Sequence, residues 1–173
     1  MPQEIVIRSA EPEDAAEVAA LLGQPGVYEG LLQMPYASIA SRVEFHQKVE
    51  PNACRLVAVA QGKIVGAAGL HVAGPTLRRS HVRSLGLSVA PALQGQGIGR
   101  QLLAACIDWA DNWAQVLRIE LHVHADNERA YALYRSMGFV EEGRHKGFAL
   151  RDGEYIDTIS MARLHPNPPR IER

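Results

Sequence analysis

Gln94-Gly95-Gln96-Gly97-Ile98-Gly99-Arg100 is a glycine-dense loop between an apolar run, Leu85 to Val89, and a segment whose apolar residues Leu102, Leu103, Cys106, Ile107 and Ala110 recur at helical spacing. The loop therefore opens a helix. A helix's first turn leaves backbone N–H groups unpaired and carries partial positive charge, and glycines let a phosphate approach without meeting a Cβ. The spacing separates the phosphate ligands. A triphosphate loop ends Gly-Lys-Ser/Thr, whereas this one ends Gly99-Arg100-Gln101. A dinucleotide fingerprint needs Gly-x-Gly-x-x-Gly; counted from Gly95 its last position is Arg100, and from Gly97 it is Leu102. Neither fits, and a pyrophosphate socket of another kind, or a plain helix-starting turn, remains.

A second group of residues lies downstream. On Arg118 to His124, Ile119, Leu121 and Val123 point one way and Glu120, His122 and His124 the other, giving a polar strand face. Asn127 sits where a helix N-cap is expected, and Tyr134 and Met137 share a face with Ala130 before Gly138 ends the helix. Tyr134 could pack in the core beside Tyr131 and Leu133, or present its phenol to a ligand. A metal site from Glu120, His122, His124 and His71 lacks any supporting ligand motif and is set aside. Cys54 and Cys106 form no Cys-x-x-Cys pair, so neither a disulfide framework nor a zinc ribbon is implied.

The elements that must position these groups follow from pattern. A strand is expected at Glu4 to Arg8, a helix at about Pro12 to Leu22 and a looser one at about Ser38 to Lys48. Strands Arg55 to Ala60 and Lys63 to His71 join at Gln61-Gly62, and a strand Val82 to Val89 leads into the loop. Helix, strand, helix and strand follow, and Asp152-Gly153 turns the last hairpin into Tyr155 to Ala162. The chain has 173 residues, 47% of them hydrophobic, and a formal charge of −1. That is one domain's worth of core, with no basic field for nucleic acid. No run approaches the ~20 apolar residues of a membrane span and Met1 to Arg8 lacks a secretory core, so the expectation is cytoplasmic, with no membrane partner. Residues 1–165 form the domain, and the proline-rich tail, 166–173, is expected to fray.

Gln94-x-x-Gly97-x-Gly99, followed by Asn127-x-x-Ala130-x-x-x-Tyr134-x-x-x-Gly138-Phe139, resembles the GCN5-related N-acetyltransferases (GNAT), whose loop binds acetyl-CoA. The resemblance covers roughly residues 82–164 and extends through Ile5 to Arg8 and Glu11 to Asp14. Phe148 to Asp157 and Met161 to Arg163 look like the bacterial L-amino-acid N-acetyltransferases, with phosphinothricin-type enzymes as near relatives. It implies a single-domain α/β GNAT fold: a central mixed, mostly antiparallel sheet, flanked by helices, whose strands splay to admit pantetheine. It assigns acetyl-CoA to Leu87, Ser88, Val89, Gln94, Gly95, Gln96, Gly97, Ile98, Gly99, Arg100, Asn127 and Tyr134, with no metal.

Acetyl transfer to an amine needs a neutral amine, a donor for the carbonyl oxygen as it gains charge, and a proton for the departing thiolate. The resemblance puts a backbone N–H donor on Leu87 to Val89, where losing one typically costs about 3 kcal/mol. It makes Tyr134 the proton donor, a phenol being protonated at neutral pH. The family often carries a Glu on the strand before the glycine loop, and Arg83-Ser84-Leu85-Gly86-Leu87-Ser88 holds no carboxylate. His122 stands five residues before Asn127, where the family's ribosomal-protein acetyltransferases keep a catalytic Glu, so His122 is the candidate base; a water relay to Glu120, His81 or solvent is the alternative. Transfer is direct, since Cys54 and Cys106 read as core cysteines. The expected acceptor is a small primary amine, the α-amino group of an L-amino acid, its carboxylate met by Arg78, Arg79, Arg83 or Arg151. The anionic cofactor would draw on Arg78, Arg79, Arg83 and Arg100. An acceptor pocket is sought in Val27 to Val43, with Tyr28, Met34, Pro35 and Tyr36. Another amine, or a non-catalytic acetyl-CoA sensor, is the competing reading, and the family implies a homodimer.

Overall fold

The computed structural model describes residues 4–171. Seven strands, β1 (Ile5–Ser9), β2 (Cys54–Ala60), β3 (Lys63–Val72), β4 (Val82–Val89), β5 (Arg118–His124), β6 (Val140–Arg151) and β7 (Glu154–Leu164), form one sheet in the order β1-β2-β3-β4-β5-β7-β6. Every neighbouring pair is antiparallel except β4 and β5, which run parallel. This is the mixed, mostly antiparallel sheet the motifs implied. Both hairpins turn where expected. Gln61 and Gly62 have φ of 50° and 74°, and Asp152 and Gly153 have 51° and 83°, the positive pair that matches the twist of flanking strands.

Helix α3 (Ile98–Asn112) and helix α4 (Glu128–Ser136) cover one face. There Ile98, Leu102, Leu103 and Cys106 pack with Ala68, Leu70, Leu121 and Met161 into the main core. Gly66 permits the close approach, since a Cβ there would meet Leu102 at 3.0 Å and Ile98 at 3.3 Å. Cys54 and Cys106, distant in sequence, meet in this core as free buried thiols; a hydrogen bond to Cys54, with burial, pushes the Cys106 thiol well above the usual range. Helix α1 (Ala15–Leu22) covers the other face and packs against helix α2 (Ile39–Gln47). The helix expected from Pro12 begins as a 3-10 turn, Pro12–Asp14, because the Asp14 carboxylate turns back to accept from Glu11 N–H at 2.8 Å and to pair with Arg8. Residues 166–171 take neither helix nor strand, and the last two of the expected tail lie outside the described residues.

Candidate active site

The single parallel pairing creates the site. β4 and β5 are in register only over Val82↔Arg118, Arg83↔Ile119 and Ser84↔Glu120, after which the strands part. Ala90 N–H donates to Val65 O, and the alternation of an antiparallel ladder then turns the backbone of Ser84, Gly86 and Ser88 toward β3. The backbone of Leu87 and Val89 consequently faces the gap, with no strand opposite. Gln94 takes the Val89 carbonyl through its Nε2 at 2.9 Å, and its Oε1 accepts from Arg129 of α4, tying the two sides of the opening together.

The glycine loop closes one end. Gly95 and Gly97 have φ of 78° and 84°, the left-handed region that favours glycine, and nothing stands within 4 Å of a Cβ built on either. Gly97 caps α3 without a side chain, and the N–H groups of Gly95 through Arg100 donate to no other described group. Gly99 stands differently: a Cβ there would reach Leu133, Val89 and Leu87 at 3.4–3.8 Å, ordinary contact distances. Together these features line a cavity of 270 Å³ that also touches Asn127 and Tyr134. Of the residues assigned to the cofactor, Gln96 is the one that does not line it; its amide turns back toward Ala92 O. Asn127 does act as the N-cap of α4, its Oδ1 accepting from Ala130 N–H at 3.1 Å, while remaining in the wall. Arg100 reaches Ser136 Oγ at 2.8 Å and so bridges α3 to α4.

Across Leu87 and Ser88 lies a second cavity of 440 Å³, on the α1 and α2 side of the sheet; Gly30, Leu31, Leu87 and Ser88 belong to both. His122 lines it, stacked on Phe148 with ring centroids 5.5 Å apart and meeting His145 edge-on at 5.6 Å. His124 is buried against Thr158 at 3.1 Å.

The sequence pattern of the Acetyltransferase (GNAT) family matches residues 25–139, more than half of the chain. This chain belongs to the GNAT acetyltransferase family. It is 39% identical over 161 residues to the L-amino acid N-acetyltransferase AaaT of Escherichia coli (strain K12), covering 93% of this chain and 98% of that one. Among solved structures it resembles the GNAT-family acetyltransferase of Streptococcus pneumoniae, with a TM-score of 0.81, 30% identity, and coverage of 93% and 99%. It also resembles the Vibrio cholerae spermidine N-acetyltransferase in complex with CoA and spermine, with a TM-score of 0.81, 25% identity, and coverage of 93% and 95%. Acetyl-CoA is the acyl donor of GNAT enzymes, and the uncapped amides beside open space suit its pyrophosphate.

Tyr134 belongs to the core and also lines the smaller cavity. It is 7% exposed and packs on Phe139 with centroids 5.8 Å apart. Burial pushes its phenol up to about 12, so the hydroxyl is protonated throughout the neutral range.

Several expectations are corrected. Arg83 is buried, and its guanidinium is spent on the carbonyls of Asn52, Ser80 and Val82. Arg79 pairs with Glu120, which Arg118 also holds, so Glu120 is a poor proton relay. Arg151 pairs with Asp126. None of Arg78, Arg79, Arg83 and Arg151 lines the 440 Å³ cavity; Arg55 does. Within Val27 to Val43 the wall is Gly30 to Gln33, whereas Met34 and Tyr36 point to solvent at 69% and 103% exposure. Arg55 and Arg129 were not singled out in the sequence, Arg55 because β2 brings it to the wall from a distant segment and Arg129 because its contact with Gln94 forms only when α4 packs beside the glycine loop, whereas Leu31 falls within the segment expected to vary the pocket. Among the described residues no group of three or more His, Cys, Asp or Glu side chains is placed to hold a metal ion, and no helix is long and apolar enough to cross a membrane.

Proposed function

We propose that this GNAT enzyme acetylates the α-amino group of a free L-amino acid. The observation that carries the reading is the meeting of two cavities at Leu87 and Ser88, one with the uncapped amides of the glycine loop and one roomy enough for an amino acid, in a chain similar over 93% of its length to an L-amino acid N-acetyltransferase. Acetyl-CoA supplies the activated acyl group. Leu87, Val89, Gln94, Gly95, Gly97, Ile98, Gly99, Arg100, Asn127 and Tyr134 hold it along the gap, and Ser88 and the backbone of Gln96 complete the strand and loop. The Leu87 N–H faces the acyl oxygen as it gains charge. The Tyr134 hydroxyl gives its proton to the departing sulfur. In the acceptor cavity His122 and Phe148 contact the amino acid, and Arg55, which also donates to the His46 and Lys48 carbonyls and pairs with Glu50, adds positive charge to the wall.

Glu11 and Asp14 also line the acceptor cavity, a feature that favours a cationic polyamine as the second reading. Asp14 is neutralised by Arg8, which weighs against it. Free-thiol release measured with amino acids, polyamines and peptides separates them. Amino acids alone should raise the thiol; consumption of polyamines or peptides instead refutes the amino-acid reading, and acetyl-CoA binding without any thiol release refutes turnover. Size-exclusion chromatography with light scattering would test the homodimer that we propose on family grounds.

A further inference from the structure

The proposed chemistry leaves one need unmet, a group that removes the ammonium proton. His122 opens onto the acceptor cavity, but no described carboxylate fixes its tautomer; its neighbours are the rings of Phe148 and His145. Another imidazole on the same wall is held differently. His71, at the end of β3, places Nδ1 2.7 Å from Glu50 Oε2, while Glu50 Oε1 accepts from Val72 N–H at 3.0 Å. Both carboxylate oxygens are thus engaged. Burial works against the charge of Glu50, yet the hydrogen bonds from His71 and Val72 and the nearby charge of Arg55 outweigh it and hold the carboxyl below its ordinary range. A carboxylate can only accept, so Nδ1 carries the hydrogen and Nε2 is left with its lone pair.

The position of Nε2 carries the inference. Nε2 leans back over Gly69, so close that a Cβ built there would meet it at 2.4 Å. Gly69 pairs with Gly86 on β4, and above Gly86 nothing stands within 4 Å of a Cβ position. Gly69, Gly86, His71 and Ser88 all line the acceptor cavity. The two glycines make a bare floor with an imidazole nitrogen over one side. Leu87, whose N–H faces the gap, is the next residue, ~3.3 Å further along the strand.

From this geometry we infer that His71, oriented by Glu50, is the general base that takes the proton from the acceptor ammonium above the Gly69 and Gly86 floor. The inference rests on the proposed acetyl transfer. The N–H bond breaks and its proton passes to Nε2, which frees the nitrogen pair. That nitrogen forms the new N–C bond as the C–S bond breaks, and the sulfur receives its proton from Tyr134. The acylated nitrogen, still carrying a second proton and a positive charge, passes that proton to the Tyr134 phenolate through water, and His71 gives its proton to solvent, so that ammonium and thioester yield amide, thiol and one released proton.

The titratable and charged groups around His71 are Glu50 before β2, Arg55 on β2 and His46 on α2, with Glu11, Asp14, His122 and His124 elsewhere on the cavity wall. The test is the pH dependence of kcat/KM, with thiol release as the readout and whichever amine the wild type consumes as acceptor. In the wild type the rise with pH should level off as the imidazole loses its proton. In H71A, kcat should fall about 100-fold while KM for acetyl-CoA stays within about twofold. Its profile should climb on to the amine's own pKa, and added imidazole should restore part of the rate. E50Q should cost about tenfold and displace the limb; H122A should keep it. G69A, which pushes Nε2 aside, should behave as a partial H71A. A rate for H71A within about threefold of wild type, or a loss without change of limb and without imidazole rescue, would overturn the assignment. Should H71A lose its native circular dichroism, E50Q decides alone: an unmoved limb overturns the dyad. Amino acids left untouched while another amine is consumed would refute the substrate reading and not the base.

Discussion

Tyr134 shows how one residue can serve two demands. Its ring packs beside Phe139 in the core while the residue also lines the smaller cavity, so Tyr134→Phe keeps the packing and removes only the hydroxyl. Turnover should fall about ten- to a thousandfold with acetyl-CoA binding preserved by calorimetry, the range expected for lost acid assistance. Because the phenol is raised to about 12, Tyr134 stays protonated below that pH and should put no descending limb in the rate profile under pH 10. His122 presents the contrasting case, an exposed imidazole stacked on Phe148. Its replacement by Ala should raise KM for the amine several-fold and leave KM for acetyl-CoA alone, as removal of an acceptor contact does. The types of both residues were legible in the sequence. Which proton each could handle was not, because burial and a fixed partner decide that and both come from other elements.

At the scale of elements, the glycine loop and the strand before it were readable as local chemistry, and the gap beside them was not. Gly97 must adopt φ of 84° at the first turn of α3, so Gly97→Ala should strain the loop by about 1 kcal/mol or more and raise KM for acetyl-CoA, with the amine KM unchanged. Steady-state titration of each substrate checks the split. The opening itself needs β4 and β5 to pair for three residues and then part, a property of register between strands separated by the whole of α3. Arg83 illustrates the limit from the other side. Read along the chain it is a free cation near the site; in the fold it is a buried brace between the Asn52 turn and the start of β4.

For the whole molecule, acid lability follows from ion pairs that cross between elements. Asp14 is held below the usual carboxylate range first by its hydrogen bond from Arg8, and Glu142 by Arg118. A depressed folded-state pKa contributes stability above the unfolded carboxylate value, and that contribution is lost as pH falls through the lower folded one. Thermal melts should therefore fall modestly below about pH 4. Asp14→Asn should flatten part of that drop and lower Tm near neutrality; a D14N melt curve parallel to wild type at every pH would contradict the assignment. Arg8 is half exposed, so solvent screening keeps the effect modest.

The sequence by itself determined the elements, both hairpin turns, the donor loop and the family, because each depends on backbone conformations and apolar spacing within a few residues. Tertiary structure alone decided the acceptor side. Arg55, His46, His71 and Glu50 are scattered over three separate segments, and only the antiparallel run of β2 and β3 beneath α1 and α2 brings them to one wall. Local pattern can specify a phosphate socket at a helix start, since one continuous stretch of backbone makes it. A pocket assembled from side chains of distant segments has no local pattern, and its charges, tautomers and free faces exist only once the sheet has formed.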